Sequence, residues 1–150
     1  VVSALESDVA VRLLASTIPA RLAFIGPSGH ANVAPIWFLW RDSRLVMCTS
    51  ADSAKVRAIR ARPEIAVTID SETPPYESVR LRGRAELEFA DGVLPEYVEC
   101  AHRYYGRETG ERWIEMVRPF MQRMARISLT PDWVEAWDFR ERFPGLFDPT

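Results

Sequence analysis

Lys55 is the single lysine of a 150-residue chain that also carries eighteen arginines, and it sits just after a cluster of hydroxyls, Thr49, Ser50 and Ser53. An apolar run, Leu45-Val46-Met47-Cys48, leads into this polar turn, and a basic helix follows until Pro63 stops it. Asp52 or Ser53 is suited to the helix N-cap, where a short side-chain oxygen accepts from the first free backbone N–H groups. Lys55 then falls in the first helical turn, where the dipole disfavours a cation. An anion at that end would reverse the penalty, and free N–H groups at a helix N-terminus suit phosphate. Two readings fit the spacing: a phosphate site built from Thr49, Ser50, Ser53 and Lys55, or a solvated lysine in a strand-to-helix turn. Spacing alone leans slightly to the second.

Other chemistry is sparse. His30 and His102 have no acidic or cysteine partners at ligand spacing, so no metal site is expected. There is no nucleophile elbow, and no Walker or dinucleotide-binding glycine pattern. Ser28-Gly29-His30 reads as a hairpin turn. Glu86 and Glu88 fall on the outer face of a strand. With no acid–base set of its own, an enzyme of this sequence would rely on a cofactor for its chemistry.

The elements that must position the turn follow from periodicity. Leu5, Val9, Leu13 and Leu14, with Ser3 as a cap, predict an opening helix that Pro19 ends. Strands are expected over Arg21–Ile25, His30–Trp40 and Leu45–Thr49, with Arg41-Asp42-Ser43 as a tight hairpin between the last two. Pro35 cannot donate to a ladder and belongs at an edge, a bulge or a ligand contact. After the basic helix, Ile65–Ile69 is a fourth strand. Tyr76–Phe89 alternates, with Val79, Leu81, Gly83, Ala85, Leu87 and Phe89 on one face and Arg80, Arg82, Arg84, Glu86 and Glu88 on the other. Cross-strand Arg–Glu pairing is the plainer reading of that charged face. Helices are expected over Asp91–Tyr105 and Thr109–Met121, separated by Gly106. Two more strands follow, Arg123–Leu129 and Trp133–Phe139, and an apolar tail carries Phe143, Leu146 and Phe147. Six or seven mostly sequential strands with short turns predict a mainly β fold with flanking helices, an antiparallel barrel that hides its edges.

Length predicts one domain over residues 1–150. The net charge of −2 provides no global field for nucleic acid. Cys48 and Cys100 have neither metal nor redox spacing, and a reducing cytoplasm is the expectation. Glu6, Asp8 and Arg12 interrupt the first apolar positions, unlike a signal peptide. No apolar run has the length of a membrane span.

Taken in order, Val33-Ala-Pro-Ile-Trp-Phe38, Cys48-Thr49-x3-Ser53-Ala-Lys55, Arg62-Pro63, Val79-Arg-Leu-Arg-Gly83 and Pro131-x2-Val-Glu-Ala-Trp137 resemble the pyridoxamine 5′-phosphate oxidase-like, FMN-binding split-barrel superfamily, including its deazaflavin-dependent oxidoreductase branch. The resemblance covers roughly Ala20 to Phe139. It implies a split β-barrel, antiparallel and Greek-key, working as a homodimer with the cofactor in a groove at the dimer interface. By that resemblance Thr49, Ser53 and Lys55 hold the cofactor phosphate. Pro35, Ile36 and Trp37 line the ring with Cys48 beside it, Ser78 and Arg80 reach the groove, and Trp137 is offered by the partner chain. Arg57 and Arg60 are then placed to meet an acidic tail. The implied activity is oxidation or reduction of a small organic substrate with FMN or the deazaflavin coenzyme F-420. The alternative is a protein that binds or carries flavin, pyridoxal phosphate or haem without turnover. Ala54-Lys55 stands where the oxidase has an arginine–lysine pair, and Val33–Phe38 departs from its second-strand motif. Both departures speak against pyridoxamine phosphate as the substrate.

Overall fold

The computed structural model describes residues 1–148. Eight strands form one antiparallel sheet rolled into a split barrel: β1 (Ala20–Ile25), β2 (Ala31–Ile36), β3 (Leu39–Arg41), β4 (Arg44–Ser50), β5 (Glu64–Asp70), β6 (Glu77–Asp91), β7 (Arg123–Leu129) and β8 (Trp133–Asp138). The strand order is β2-β1-β5-β6-β7-β4-β3, and β8 pairs with β6 off this path. The long β6 belongs to both halves. Its first part pairs with β5 (Leu81 opposite Val67) and with β8 (Arg80 opposite Glu135), and its second part pairs with β7 (Leu87 opposite Ile127).

Gly83 marks the changeover. A Cβ there would stand 3.0 Å from Leu129 Cδ1, 3.1 Å from the Thr130 carbonyl oxygen and 3.3 Å from the Asp132 nitrogen. Only glycine lets the β7–β8 connection pass so close to the strand.

The expected alternation of β6 is observed. Val79, Leu81, Gly83 and Ala85 are buried, while Arg80, Arg82, Arg84 and Glu86 point outward. Arg84 pairs with Glu64 at 3.0 Å and Arg80 with Glu135, the cross-strand pairing of acids and bases. The barrel core is closed by Leu22, Phe38, Leu45, Met47, Val67, Leu81, Ile127 and Leu129. Helix α2 (Asp8–Leu14) adds Val9, Ala10, Leu13 and Leu14 to it, and α3 (Ala54–Ala61) adds Val56 and Ile59. Strand β4 serves two cores at once, because successive side chains point to opposite faces. Met47 enters the barrel, whereas Cys48 enters a second core formed with α4 (Pro95–Tyr105) and α5 (Arg107–Val117).

Several boundaries differ from the sequence expectation. The predicted strand His30–Trp40 is two strands, broken at Trp37 and Phe38; the Phe38 N–H freed there donates to the Tyr104 hydroxyl at 3.4 Å. The opening helix is likewise two, α1 (Val2–Leu5) and α2, because Ser7 accepts from Ala10 N and caps the second; Ser3 lies inside α1 and caps nothing. Helix α4 begins at Pro95 rather than Asp91, since β6 runs on to Asp91. Helix α5 begins at Arg107, directly after Gly106, whose φ of 79° ends one helix and opens the next. A 3-10 turn over Arg118–Phe120 and a short α6 (Phe139–Arg142) are the remaining elements, and the strands number eight among the described residues. The hairpin at Asp42-Ser43 is as expected, both residues taking the positive φ of a two-residue turn.

Candidate functional site

Strand β2 lies at the edge of the sheet, so Pro35 costs no ladder bond on its outer side. The chain turns at Trp37, crosses to β3 and returns along β4 to Cys48 and Thr49. Ser53 then caps α3, its hydroxyl oxygen accepting from Val56 N at 3.3 Å. Of the two residues suited to this cap, Ser53 fills it. Its hydroxyl proton has no acceptor among the described residues and is free to donate.

These segments enclose a cavity of about 350 Å³. Of the ten residues singled out from the sequence, Pro35, Ile36, Trp37, Cys48, Thr49 and Lys55 line it together, and Ser53 stands just behind Lys55 as the helix cap. Ser78, Arg80 and Trp137 lie elsewhere in the same protomer, on the pairing of β6 with β8. Ser78 stands opposite Trp137, and Arg80 lies over the Trp137 ring, 5.2 Å from its centroid. A larger groove of about 530 Å³ crosses the outer side of β1, β5 and β6. It contains none of the ten residues, so size is the wrong guide to the chemistry.

Lys55 is half-buried and makes no ion pair or hydrogen bond among the described residues. Its basic neighbours are engaged. Arg57 donates to the Asp52 carbonyl, Arg60 lies 5.1 Å from the centre of the Phe89 ring, and Arg62 donates to the Gly26 carbonyl at 3.2 Å. A cation left without a counter-charge beside a helix N-terminus and the Thr49 hydroxyl makes a place for an anion.

The helical wall of the cavity is what sequence reasoning missed. Tyr97 and Tyr105 of α4, Trp113 of α5 and Met121 form it, and Pro19, just before β1, completes the lining. Trp37 is the hub: Tyr104 stacks on it at 5.3 Å and 20°, Tyr105 meets it edge to face at 5.0 Å and 83°, and Tyr97 and Trp113 lie at 5.6 and 6.1 Å. Trp113 donates its indole N–H to the Tyr97 hydroxyl at 3.0 Å. The available signal was the i, i+7 and i+8 spacing of Tyr97, Tyr104 and Tyr105, which puts three phenols on neighbouring stripes of one helix.

Cys48 and Tyr97 hold their protons. Burial pushes the Cys48 thiol up to about 12, and it likewise raises Tyr97 against the opposing Trp113 hydrogen bond. No thiolate nucleophile is offered at neutral pH. Among the described residues no group of histidine, cysteine and acid side chains is arranged to hold a metal ion. The cavity combines an apolar and aromatic lining with the Lys55 ammonium and the Thr49 hydroxyl, and among the described residues it holds no nucleophile–base pair.

Residues 7–138 match the sequence profile described as pyridoxamine 5′-phosphate oxidase. The chain belongs to the pyridoxamine 5′-phosphate oxidase family. Solved structures carry the same fold at low identity. A conserved hypothetical protein from Mycobacterium tuberculosis is 21% identical with a TM-score of 0.70, covering 96% of this chain and 92% of that one. A protein described as an F420 reductase is 21% identical with a TM-score of 0.61, over 83% and 94% of the two chains. A protein from Mesorhizobium loti, described as FAD-binding, is 19% identical with a TM-score of 0.56, over 84% and 87%. No curated protein matches the chain by sequence. Family membership thus rests on nearly the whole length of the chain, and flavin-type cofactors and oxidoreductase chemistry are represented among the described members of the fold.

Proposed function

We propose that this family member is an oxidoreductase that binds FMN or the deazaflavin coenzyme F-420 at a homodimer interface and acts on a small organic substrate. The observation that carries the reading is Lys55, half-buried and without a partner among the described residues, in one cavity with Thr49, Pro35, Ile36 and Trp37. The donor set fits the group: a free ammonium, the Thr49 and Ser53 hydroxyls and a helix N-terminus for a phosphate, with an apolar and aromatic lining for a ring. Bound there, the cofactor supplies the electron transfer. Lys55 and Thr49 anchor its phosphate, the β2 edge at Pro35–Trp37 orients the ring, and neutral Cys48 packs beside it without taking part as a base.

In the proposed dimer a second copy brings its Ser78, Arg80 and Trp137 to the groove. Their separation from the Lys55 cavity within one protomer is what such sharing requires. Buried free thiols at Cys48 and Cys100 agree with a reducing cytoplasm as the working compartment.

The test is a fluorescence titration of the purified protein with FMN and with the deazaflavin, paired with sedimentation to count protomers. Micromolar binding of one of them to a dimer, followed by turnover with the reduced cofactor, supports the proposal. Tight binding without turnover favours a carrier, and no binding of either overturns the cofactor reading.

A further inference from the structure

Arg21 is a cation at the rim of the cavity that cofactor anchoring does not use. It is the second residue of β1, directly opposite Pro35 on β2 and Thr68 on β5, so its side chain shares a face with both. Its guanidinium Nη1 donates to the Pro19 carbonyl at 3.1 Å. Pro19 and Pro35 both line the cavity, so the guanidinium is held at its edge. The residue is half-buried, and among the described residues it forms no ion pair. That sets it apart from its neighbours on the sheet. Arg80, which faces Thr68 from the other side, pairs with Glu135, and Arg84 pairs with Glu64 at 3.0 Å. An acid does share the face, since Asp70 lies two residues along β5 from Thr68, yet Arg21 turns to the Pro19 carbonyl instead. A partly withdrawn guanidinium without a counter-charge is costly, and one bond leaves most of its five N–H donors to a ligand.

We infer that Arg21 is a binding residue for the carboxylate of a small organic acid, and that such acids are the substrate class of this cavity. The inference rests on the reading of the cavity as a redox site and adds to it the group that selects the substrate. A planar guanidinium matches a carboxylate with two parallel hydrogen bonds, where an ammonium offers only a point charge. The division of labour follows from position. Lys55, on α3 beside the Thr49 hydroxyl, takes the phosphate, and Arg21, on the β1–β2 side beside the two prolines, takes the carboxylate. The apolar rings of Pro19 and Pro35 line the approach, so an acid with an apolar body fits better than a fully polar one.

The probes are benzoate and benzyl alcohol, which share a phenyl ring and differ in the carboxylate. Calorimetry on the FMN-saturated wild-type protein is expected to give about tenfold tighter binding of benzoate, the lower range for a hydrogen bond to a charged group. Arg21→Gln removes the charge and should abolish the preference; Arg21→Met, which keeps the stem of the side chain, reads the same loss if Arg21→Gln does not fold. In cofactor-free Lys55→Ala protein, where that ammonium cannot compete for the anion, the preference should persist and should vanish on adding Arg21→Gln. No preference in the wild type, an undiminished one in Arg21→Gln or Arg21→Met, or displacement of FMN by benzoate overturns the assignment. If the cofactor-free protein shows the preference and loses it with Arg21, while neither FMN nor the deazaflavin binds, Arg21 stands and the redox reading falls. If the cofactor binds and the preference is missing, the reverse holds.

Discussion

Arg126 grips Glu96 with two hydrogen bonds, 3.0 Å from Nε and 2.9 Å from Nη2, tying the strand that runs beside Cys48 to the first turn of α4. Both side chains are largely withdrawn from solvent, at 23% and 20% exposure. Burial works to raise the Glu96 carboxyl, and the Arg126 hydrogen bonds overcome it, leaving the group below its ordinary value of 4.5. A depressed carboxylate stabilises the fold above its unfolded pKa and loses that contribution as pH falls through the folded value. Glu96→Gln is therefore expected to lose about 1.5–3 kcal/mol at pH 7, the range for hydrogen bonds to charged groups, and to flatten the acid limb of the stability profile. Urea unfolding followed at neutral and acid pH checks both; equal pH profiles for variant and wild type would count against the role.

Helix α5 approaches α4 through Gly110. A Cβ at that position would lie 2.7 Å from the Ala101 carbonyl oxygen and 2.9 Å from the His102 nitrogen. Those neighbours are backbone and cannot swing aside. Gly110→Ala should destabilise the protein by about 1–3 kcal/mol, the scale of overpacking, although alanine is the better helix former. Thermal unfolding would report the loss. Since the same contact holds Trp113 against Tyr97, near-ultraviolet dichroism from the aromatic wall should weaken with it.

Cys48 and Cys100 are buried, and burial pushes both thiols up to about 12. Native protein at pH 8 is expected to react with a thiol-specific disulfide reagent far more slowly than the unfolded chain. Absorbance of the released thiolate, with and without denaturant, measures the contrast. Fast native labelling of Cys48 would mean that the cavity opens more than this packing allows.

Lys55→Ala should weaken cofactor binding by about 1.5–3 kcal/mol, as for a charged hydrogen bond, with little change in the melting temperature. Lys55→Arg should recover only part of the loss, because the planar fork and longer reach suit a different geometry. Titrating FMN into the three proteins separates these outcomes, and equal affinities would remove Lys55 from the site.

For the shared groove, Trp137→Ala is expected to lower cofactor affinity while leaving the Lys55 cavity of its own protomer intact. Mixing Lys55→Ala with Trp137→Ala protein should give heterodimers in which one groove carries both lesions and the other none. Binding should then return to one of the two grooves in each heterodimer, about a quarter of all sites in an equal, freely exchanging mixture. A monomer that binds cofactor at full strength would contradict the arrangement.

Much of this fold was legible because its strands follow simple rules. The alternation of Val79, Leu81, Gly83 and Ala85 against arginines sets which face of β6 is buried, and Pro35 reads as an edge residue because its missing N–H leaves few other places. The break at Trp37 and Phe38 was not legible, since a hydroxyl from Tyr104, distant in sequence, takes up the N–H that the ladder gives away. The aromatic wall escaped for a related reason. Tyr97, Tyr105 and Trp113 look like ordinary apolar positions of amphipathic helices, and only tertiary packing turns them toward Trp37. Lys55 stands out by composition, but only the folded chain leaves it without a partner among the described residues while Arg57, Arg60 and Arg62 are engaged.

The strand shared by both halves of the barrel also bears on how the chain finds its shape. β6 must meet β5, β7 and β8, and Cys48 must find Arg126 more than half the chain away. The β1–β2, β3–β4 and β5–β6 hairpins can form locally, but the β1–β5, β4–β7, β6–β7 and β6–β8 pairings join distant segments, so loop-closure entropy is lost before those pairings reward it. Folding should therefore be governed by the arrival of one strand, and the cavity, whose two walls lie on either side of that late event, should be among the last features to form.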